Sequence, residues 1–485
     1  MTLAAKEGMI GLTPLDRERA VRVICSAVVL CLGVFAALGS AQWLATSIVL
    51  VLIFAAAMTM PRSWLGIALA ALMPFQLYFD IPGTAFTLRA AGLFAFAAAL
   101  RLLVSRLVRK DLARWSFWML PAAFFLTAAL VGALNAASPY LAFKGIYDWL
   151  TIFAAAFVVS ETVRARRQVA RLVLVLVAGG LIQTILGLLQ YASGLDAILN
   201  VLRMPISTLF FQPNLLSERL ADLSFNWVVF DRASPFGTFI NGIDYAIFLA
   251  AVMGLALPLL FVERARTRLA LVFGCLLLMG IALLVTFKGS GLLALGGAAA
   301  VTVLLSFRRP SPRLFAIGLI GLGCVVLLSL PFADLLMQRA VFLVQREQGD
   351  TGTAGRLEIW AGLLQVFFQR PLFGFGLNLS AVLTEPSRTL NRGAIAFNFP
   401  SAESAYISAL VETGIVGLAA LLVLFVGTLL RAVRRARSDP LFVGVAAALV
   451  ALWVGNLTVN GFTTDQNGML LGLLIGMVYA STLEP

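Results

Sequence analysis

Glu403 stands where a long polar stretch gives way, at Ser404, to an apolar run of membrane-crossing length. A carboxylate at such a mouth costs free energy unless it is paired or hydrated, so an ionisable residue there is a candidate for function. The plainer alternative is that Glu403 complements the dipole of a helix starting there, with Ser401 or Ser404 as its cap. The chain has no histidine, so any proton transfer must fall to another group. Glu412 lies nine residues on, too far for an adjacent-turn pair. Cations occupy the neighbouring polar stretches. Arg356, in Gly-Arg-Leu-Glu-Ile-Trp (Gly355–Trp360), could bind phosphate, cap its own helix, or pair with Glu358 or another loop carboxylate. Arg232, within Phe230–Ala246, could present its planar fork of donors to an anion, snorkel to lipid phosphates or pair with Asp231. Lys288, in Val-Thr-Phe-Lys-Gly-Ser-Gly (Val285–Gly291), offers a point charge to phosphate or to the interface. Arg392, Asp244 and Asp465 are further candidates for substrate contact.

These residues are set in an unusual matrix. Of 485 residues, 61% are hydrophobic and only 12% charged, outside the range of soluble globules. Repeated continuous apolar runs of about 17–25 residues suit helices crossing a bilayer core and exclude the short alternating segments of a β-barrel. The net charge of +13 reads as basic loops holding topology rather than a nucleic-acid surface, because the arginines fall between spans. Cys25, Cys31, Cys275 and Cys324 all lie in apolar runs and read as small hydrophobes. Arg17, Arg19 and Arg22 precede the first apolar run, which is expected to stay as an anchor. No Gly-Lys-Ser/Thr phosphate loop, Asp-rich cation motif or cysteine–histidine cluster occurs, so neither a metal nor another cofactor is expected.

The expected fold is all-α, a polytopic transmembrane bundle of about fourteen spans. They lie near 22–39, 43–60, 64–79, 86–104, 116–134, 143–160, 169–191, 238–262, 268–287, 290–306, 313–332, 404–430, 440–458 and 466–482. If the chain starts inside, 24 of its 36 basic residues fall on alternate, cytoplasmic segments. The short outward loops then hold only Lys144 and Lys288, with Arg89 just inside a span. Both termini are thus expected in the cytoplasm. The organisation follows: N-terminal membrane helices (1–191), a first long periplasmic loop (192–237), central membrane helices (238–332), a second long periplasmic loop with an amphipathic helix (333–403), and C-terminal membrane helices (404–485). Long loops on one face are where chemistry is expected. Within the second, Leu357, Trp360, Leu363, Leu364 and Phe367 recur at helical spacing. Arg370-Pro371 should end that helix, and Gly374 and Gly376 permit a tight turn.

Three stretches together resemble the O-antigen ligase and polymerase superfamily of bacterial membrane glycosyltransferases: Gly355–Trp360, Arg370–Gly376 and Ala402–Leu418. Phe230–Ala246, with an arginine shortly before Gly-Thr-Phe and an asparagine at the mouth of a span, is similar as well. Members usually carry histidine followed by asparagine where this chain has Glu403-Ser404, and often Ser-Arg-Gly where it has Phe287-Lys288-Gly289. The resemblance spans about residues 230–480. It implies a C-type glycosyltransferase bundle in the bacterial inner membrane, with its active site facing the periplasm. The implied donor is a polyprenyl (undecaprenyl) pyrophosphate-linked saccharide, and the partners are an acceptor glycan, the lipid bilayer and other polysaccharide-assembly proteins. Arg232, Lys288 and Arg356 would hold the pyrophosphate, and Glu403 would take the proton of the acceptor hydroxyl. The expected activity is polymerisation of lipid-linked repeat units into O-antigen or exopolysaccharide, with inversion at the anomeric carbon. Ligation of the glycan to a lipid A core is the alternative. A lipid-linked oligosaccharide flippase is the reading from another class, but internal repeats and mid-membrane polar residues are not evident.

Overall fold

Long alanine- and leucine-rich runs leave a chain in a bilayer one economical solution, the helix, which satisfies every backbone group internally. The computed structural model describes residues 41–75, 78–80, 87–108, 116–202, 228–229, 232–233, 235–239, 241–262, 265–306, 353–380, 383, 402–462 and 465–480. The helices are α1 (Ala41–Thr59), α2 (Arg62–Leu72), α3 (Ala90–Val108), α4 (Met119–Leu134), α5 (Pro139–Thr162), α6 (Arg166–Leu202) and α7 (Gly242–Ala256). They continue with α8 (Leu259–Val262), α9 (Arg266–Val285), α10 (Gly289–Ser306), α11 (Thr353–Phe367), α12 (Ala405–Ala436), α13 (Leu441–Gly455) and α14 (Asp465–Tyr479). Two short antiparallel pairs accompany them: β1 (Tyr78–Asp80) with β2 (Thr87–Arg89), and β3 (Val228–Val229) with β4 (Arg232–Ala233).

Among the described residues, seven helices are long and apolar enough to cross a membrane: α3, α5, α6 as far as Ser193, α7 extended through Phe261, α9, α10 and α12. Five further apolar helices among the described residues are shorter, α2, α4 and α13 included. The expected spans 22–39 and 313–332 lie outside the described residues, and each of the others falls on a described helix. The expected span 64–79 is helical only to Leu72, with Pro74 beyond it. Helix α6 runs to Leu202, past the expected loop boundary at 192.

Helix α7 is the hub. All of its residues but Ile243 are buried, as suits a helix apolar on all sides, and it packs on α6, α9, α10, α13 and α14. Close approach elsewhere depends on small residues. Gly468, Gly472 and Gly476 repeat every fourth residue along α14, and a Cβ on Gly472 would lie 2.3 Å from Ile152 O of α5. Such a stripe lets two helix backbones meet.

The two ends of the bundle differ in chemistry. At one end arginines tie the helices together. Arg101 Nη1 donates to Ala57 O (3.1 Å) and Met60 O (2.6 Å), Arg106 Nε to Glu161 (3.0 Å), Arg166 Nε to Asp439 (2.8 Å) and Arg435 Nη2 to Ala480 O (3.0 Å). The other end gathers the N-termini of α7, α10, α12 and α14, and with them Asp244, Lys288, Glu403 and Asp465.

Candidate functional site

Helix α11 is present where expected, but its packed face is centred on Leu363 with Ile359, Val366 and Phe367, while Leu357, expected on that face, is 55% exposed. Leu363 is buried against Ala402 and Val411, with Ile359, Val366, Phe375 and Ile407 packed around them. Trp360 Nε1 donates to Ala402 O (2.7 Å), pinning the turn that leads into α12. Arg356 lies four residues before Trp360 and so on the same face; its Nε donates to Glu403 Oε2. The two side chains are 30% and 20% exposed. Of the alternatives open for Arg356, pairing with a loop carboxylate is the one found, and that carboxylate is Glu403. Glu403 has φ 48°, a left-handed backbone uncommon outside glycine. Ser404 takes the N-cap position of α12, yet its hydroxyl makes no cap hydrogen bond. Glu403 is thus turned towards α11.

Below this pair α12 is not continuous. Gly414 (φ 66°, ψ −172°) breaks it, and the loop after α11 fills the break. Phe375 N donates to Val411 O (3.1 Å), Gly376 N to Glu412 O (2.8 Å), Ile415 N to Pro371 O (2.8 Å) and Val416 N to Leu372 O (3.3 Å). The backbone groups that the break would orphan are paired in both directions, as non-helical backbone at membrane depth requires. The tight turn expected at Gly374 and Gly376 is present, with φ 67° and 105°. Glu412 is 2% exposed and accepts from Ser380 N (3.1 Å), which fastens the far end of the loop. Arg370 holds the near end, donating from Nη1 to Asn135 O (2.7 Å) and lying 4.9 Å over the Phe375 ring.

A polar belt runs from the head of α12 to that of α7. Ala405 N donates to Asn456 O (3.1 Å) and Val459 O (3.0 Å), while Asn456 Oδ1 accepts from Gly461 N (2.6 Å). Asp244 lies beside this turn, since a Cβ on Gly461 would stand 3.1 Å from Asp244 Oδ1. Asn241 caps α7 through Ile243 N (2.9 Å) and Asp244 N (2.8 Å), and its Nδ2 donates to Asp244 Oδ2 (2.7 Å). From α14, Asn467 Nδ2 reaches Asp244 O (3.1 Å) and Gln466 Nε2 reaches Thr238 O (3.3 Å).

The segment leading from β4 into α7 is gripped by two glutamines. Gln190 Oε1 accepts from Phe236 N (3.0 Å) and Gly237 N (2.8 Å), and its Nε2 donates to Gly237 O (2.7 Å). Gln183 pairs with Thr238 through both ends of its amide and also reaches Pro74 O (2.7 Å). The two are seven residues apart, on one face of α6. Gly237 has φ 57°, and a Cβ there would come within 2.4 Å of Gln183 Oε1.

The candidates therefore stand unequally. Arg356 and Glu403 are in contact. Asp244 is 1% exposed and belongs to the buried belt. Lys288 follows Phe287 (φ 53°) at the head of α10, partly exposed, its N–H on Thr286 Oγ1 (3.3 Å). Arg232 is placed by its backbone, paired with Val229. Asp465 opens α14. Arg392 and the side chains of Arg232 and Asp465 lie outside the described residues. Gln183, Gln190, Ser380 and Asn467 were not anticipated from the sequence.

A model of the O-antigen ligase family matches residues 273–422. The matched stretch runs from within α9 to within α12 and takes in Lys288, Arg356 and Glu403. It supports the resemblance to the O-antigen ligase and polymerase superfamily and fits a multi-pass membrane enzyme acting on lipid-linked glycans. A search of curated proteins finds no match to the chain.

Proposed function

We propose that the chain is an inverting membrane glycosyltransferase that polymerises polyprenyl-pyrophosphate-linked oligosaccharide repeat units on the periplasmic face of a bacterial inner membrane. The observation that carries this reading is the contact between Arg356 and Glu403 at the mouth of α12, inside the stretch matched by the family. A group able to take a proton and a group able to stabilise a leaving phosphate meet at one mouth; inversion needs them on opposite sides of the anomeric carbon, so the pair parts in the reacting complex.

The acceptor hydroxyl oxygen attacks the anomeric carbon from the side opposite the pyrophosphate and forms the new glycosidic bond. Its proton passes to the Glu403 carboxylate. The bond from the anomeric carbon to the pyrophosphate oxygen breaks, and the electron pair leaves with the polyprenyl pyrophosphate. Arg356 offers that group a guanidinium charged at any physiological pH, Lys288 adds a point charge, and Arg232 completes the set. The buried belt through Asn456, Asp244 and Gln466 holds the heads of α7, α12 and α14 in register under the reacting groups.

The family match favours a second reading, transfer of a finished glycan to a lipid A core or another acceptor. Product length separates the two. Purified protein mixed with lipid-linked repeat units should yield a ladder of increasing length. A single transfer to an added acceptor would make the chain a ligase, and no transfer to any acceptor would end the glycosyltransferase reading.

A further inference from the structure

The general base and one of the pyrophosphate cations proposed above are bonded to each other. With histidine in the place of Glu403 no anion would stand there to pair with an arginine; with glutamate the two tasks share one ion pair. A guanidinium has five N–H donors, and its Nε edge is turned here to a carboxylate. A diphosphate carries more negative charge than a carboxylate and suits the same planar fork. Brought beside the pair, it attracts the arginine and repels Glu403.

The surroundings say which parts can respond. The turn holding Glu403 is pinned by the bond from Trp360 Nε1 to Ala402 O (2.7 Å) and by the paired break at Gly414. The side chains of Arg356 and Glu403, by contrast, are 30% and 20% exposed, so they can exchange partners while the backbone stays in place.

Building on the glycosyltransferase reading, we propose that this ion pair is operated by the donor: the pyrophosphate draws Arg356 away from Glu403, and only then does the carboxylate turn to the acceptor hydroxyl. Arg356 is then a positioning residue for the base as well as a phosphate ligand, and donor binding precedes acceptor activation. In the absence of donor, Glu403 stays turned to the arginine rather than to a water or a stray hydroxyl.

The test is a double-mutant cycle on binding, with the full-length protein in detergent micelles and geranyl pyrophosphate as the probe. If Glu403 competes with phosphate for Arg356, Glu403→Gln binds the probe more tightly than wild type, by about two- to five-fold for a partly exposed ion pair. The gain should vanish when Arg356→Gln is already in place, with Arg356→Met as the substitute should that variant not insert. Equal or weaker binding by Glu403→Gln would overturn the proposal, since Arg356 would then hold both anions at once. So would a gain that persists without Arg356, which would be plain charge repulsion. Saturable binding of the probe with either of these outcomes leaves the glycosyltransferase reading standing; no binding to wild-type protein ends both.

Discussion

Arg356 lies within the second long polar stretch and Glu403 at its end, and α11 carries the arginine to the carboxylate. General-base assistance is worth about 10²–10⁴-fold in rate. Glu403→Gln keeps the shape and much of the hydrogen bonding but cannot take a proton at neutral pH, so turnover should fall by that order while insertion is unaffected. Glu403→His restores the residue usual in similar proteins and should retain part of the activity. A glutamine variant that polymerises at the wild-type rate at equal expression would reduce Glu403 to a helix-start residue. Arg356→Lys keeps the charge and loses the fork, and it too should impair turnover. Glu403 and Arg356 stood out in the sequence because an ionisable group at a membrane mouth is conspicuous and the motifs around them are moderately specific. Their contact did not, since 47 residues separate them and nothing local links a loop arginine to one carboxylate among several. Gln183 and Gln190 were illegible for a different reason. Neutral amides in an apolar helix carry no charge signal, and their partners are backbone atoms of a distant turn.

Each supporting element has a weak point where its sequence is dictated. Gly414 is left-handed, and a Cβ there would lie 2.2 Å from Leu372 O. Gly414→Ala should therefore cost roughly 1–3 kcal/mol in backbone strain alone, with the clash added. The measurement is thermal unfolding in detergent, and an unchanged midpoint would count against the paired break. Gln190→Leu removes the partners of Phe236 N, Gly237 N and Gly237 O together. An unmet buried backbone group costs about 1–3 kcal/mol, so this single change should loosen the turn ahead of α7 and speed amide hydrogen exchange at Phe236 and Gly237. Periodicity placed α11 and its end near Arg370-Pro371, and the glycines foretold the turn. The break in α12 was hidden inside an unbroken apolar run, because hydropathy does not register where a helix gives up its own hydrogen bonds to another segment.

Across the molecule, the arginines sort the two ends. The basic clusters of the sequence became specific ties at one end, from Arg101 on α1 carbonyls to Arg435 on Ala480 O. Charge statistics put these arginines on alternate loops, and the fold gathers them at one end; the partners were not foreseeable. That end should face the cytoplasm and the mouth of α12 the periplasm. Cysteines introduced singly should react with an impermeant thiol reagent from outside at position 350 and stay silent at 435. The reverse pattern would invert the topology. Helix length was poorly legible. Continuous apolar runs gave spans of about 16 to 27 residues, whereas the bundle contains an 11-residue α2, with Pro74 just beyond its end, and a 37-residue α6.

The paired break at Gly414 also constrains how such a chain can diversify. Residues 371–376 and 411–416 exchange backbone hydrogen bonds in both directions, so they form one inheritable part although they are about forty positions apart in sequence. Chimaeras that graft the corresponding loop of a similar protein onto this scaffold should insert and function when both stretches travel together. Grafts that carry one without the other would leave a joint with no mate, and libraries built by shuffling at a crossover near residue 390 should be depleted accordingly.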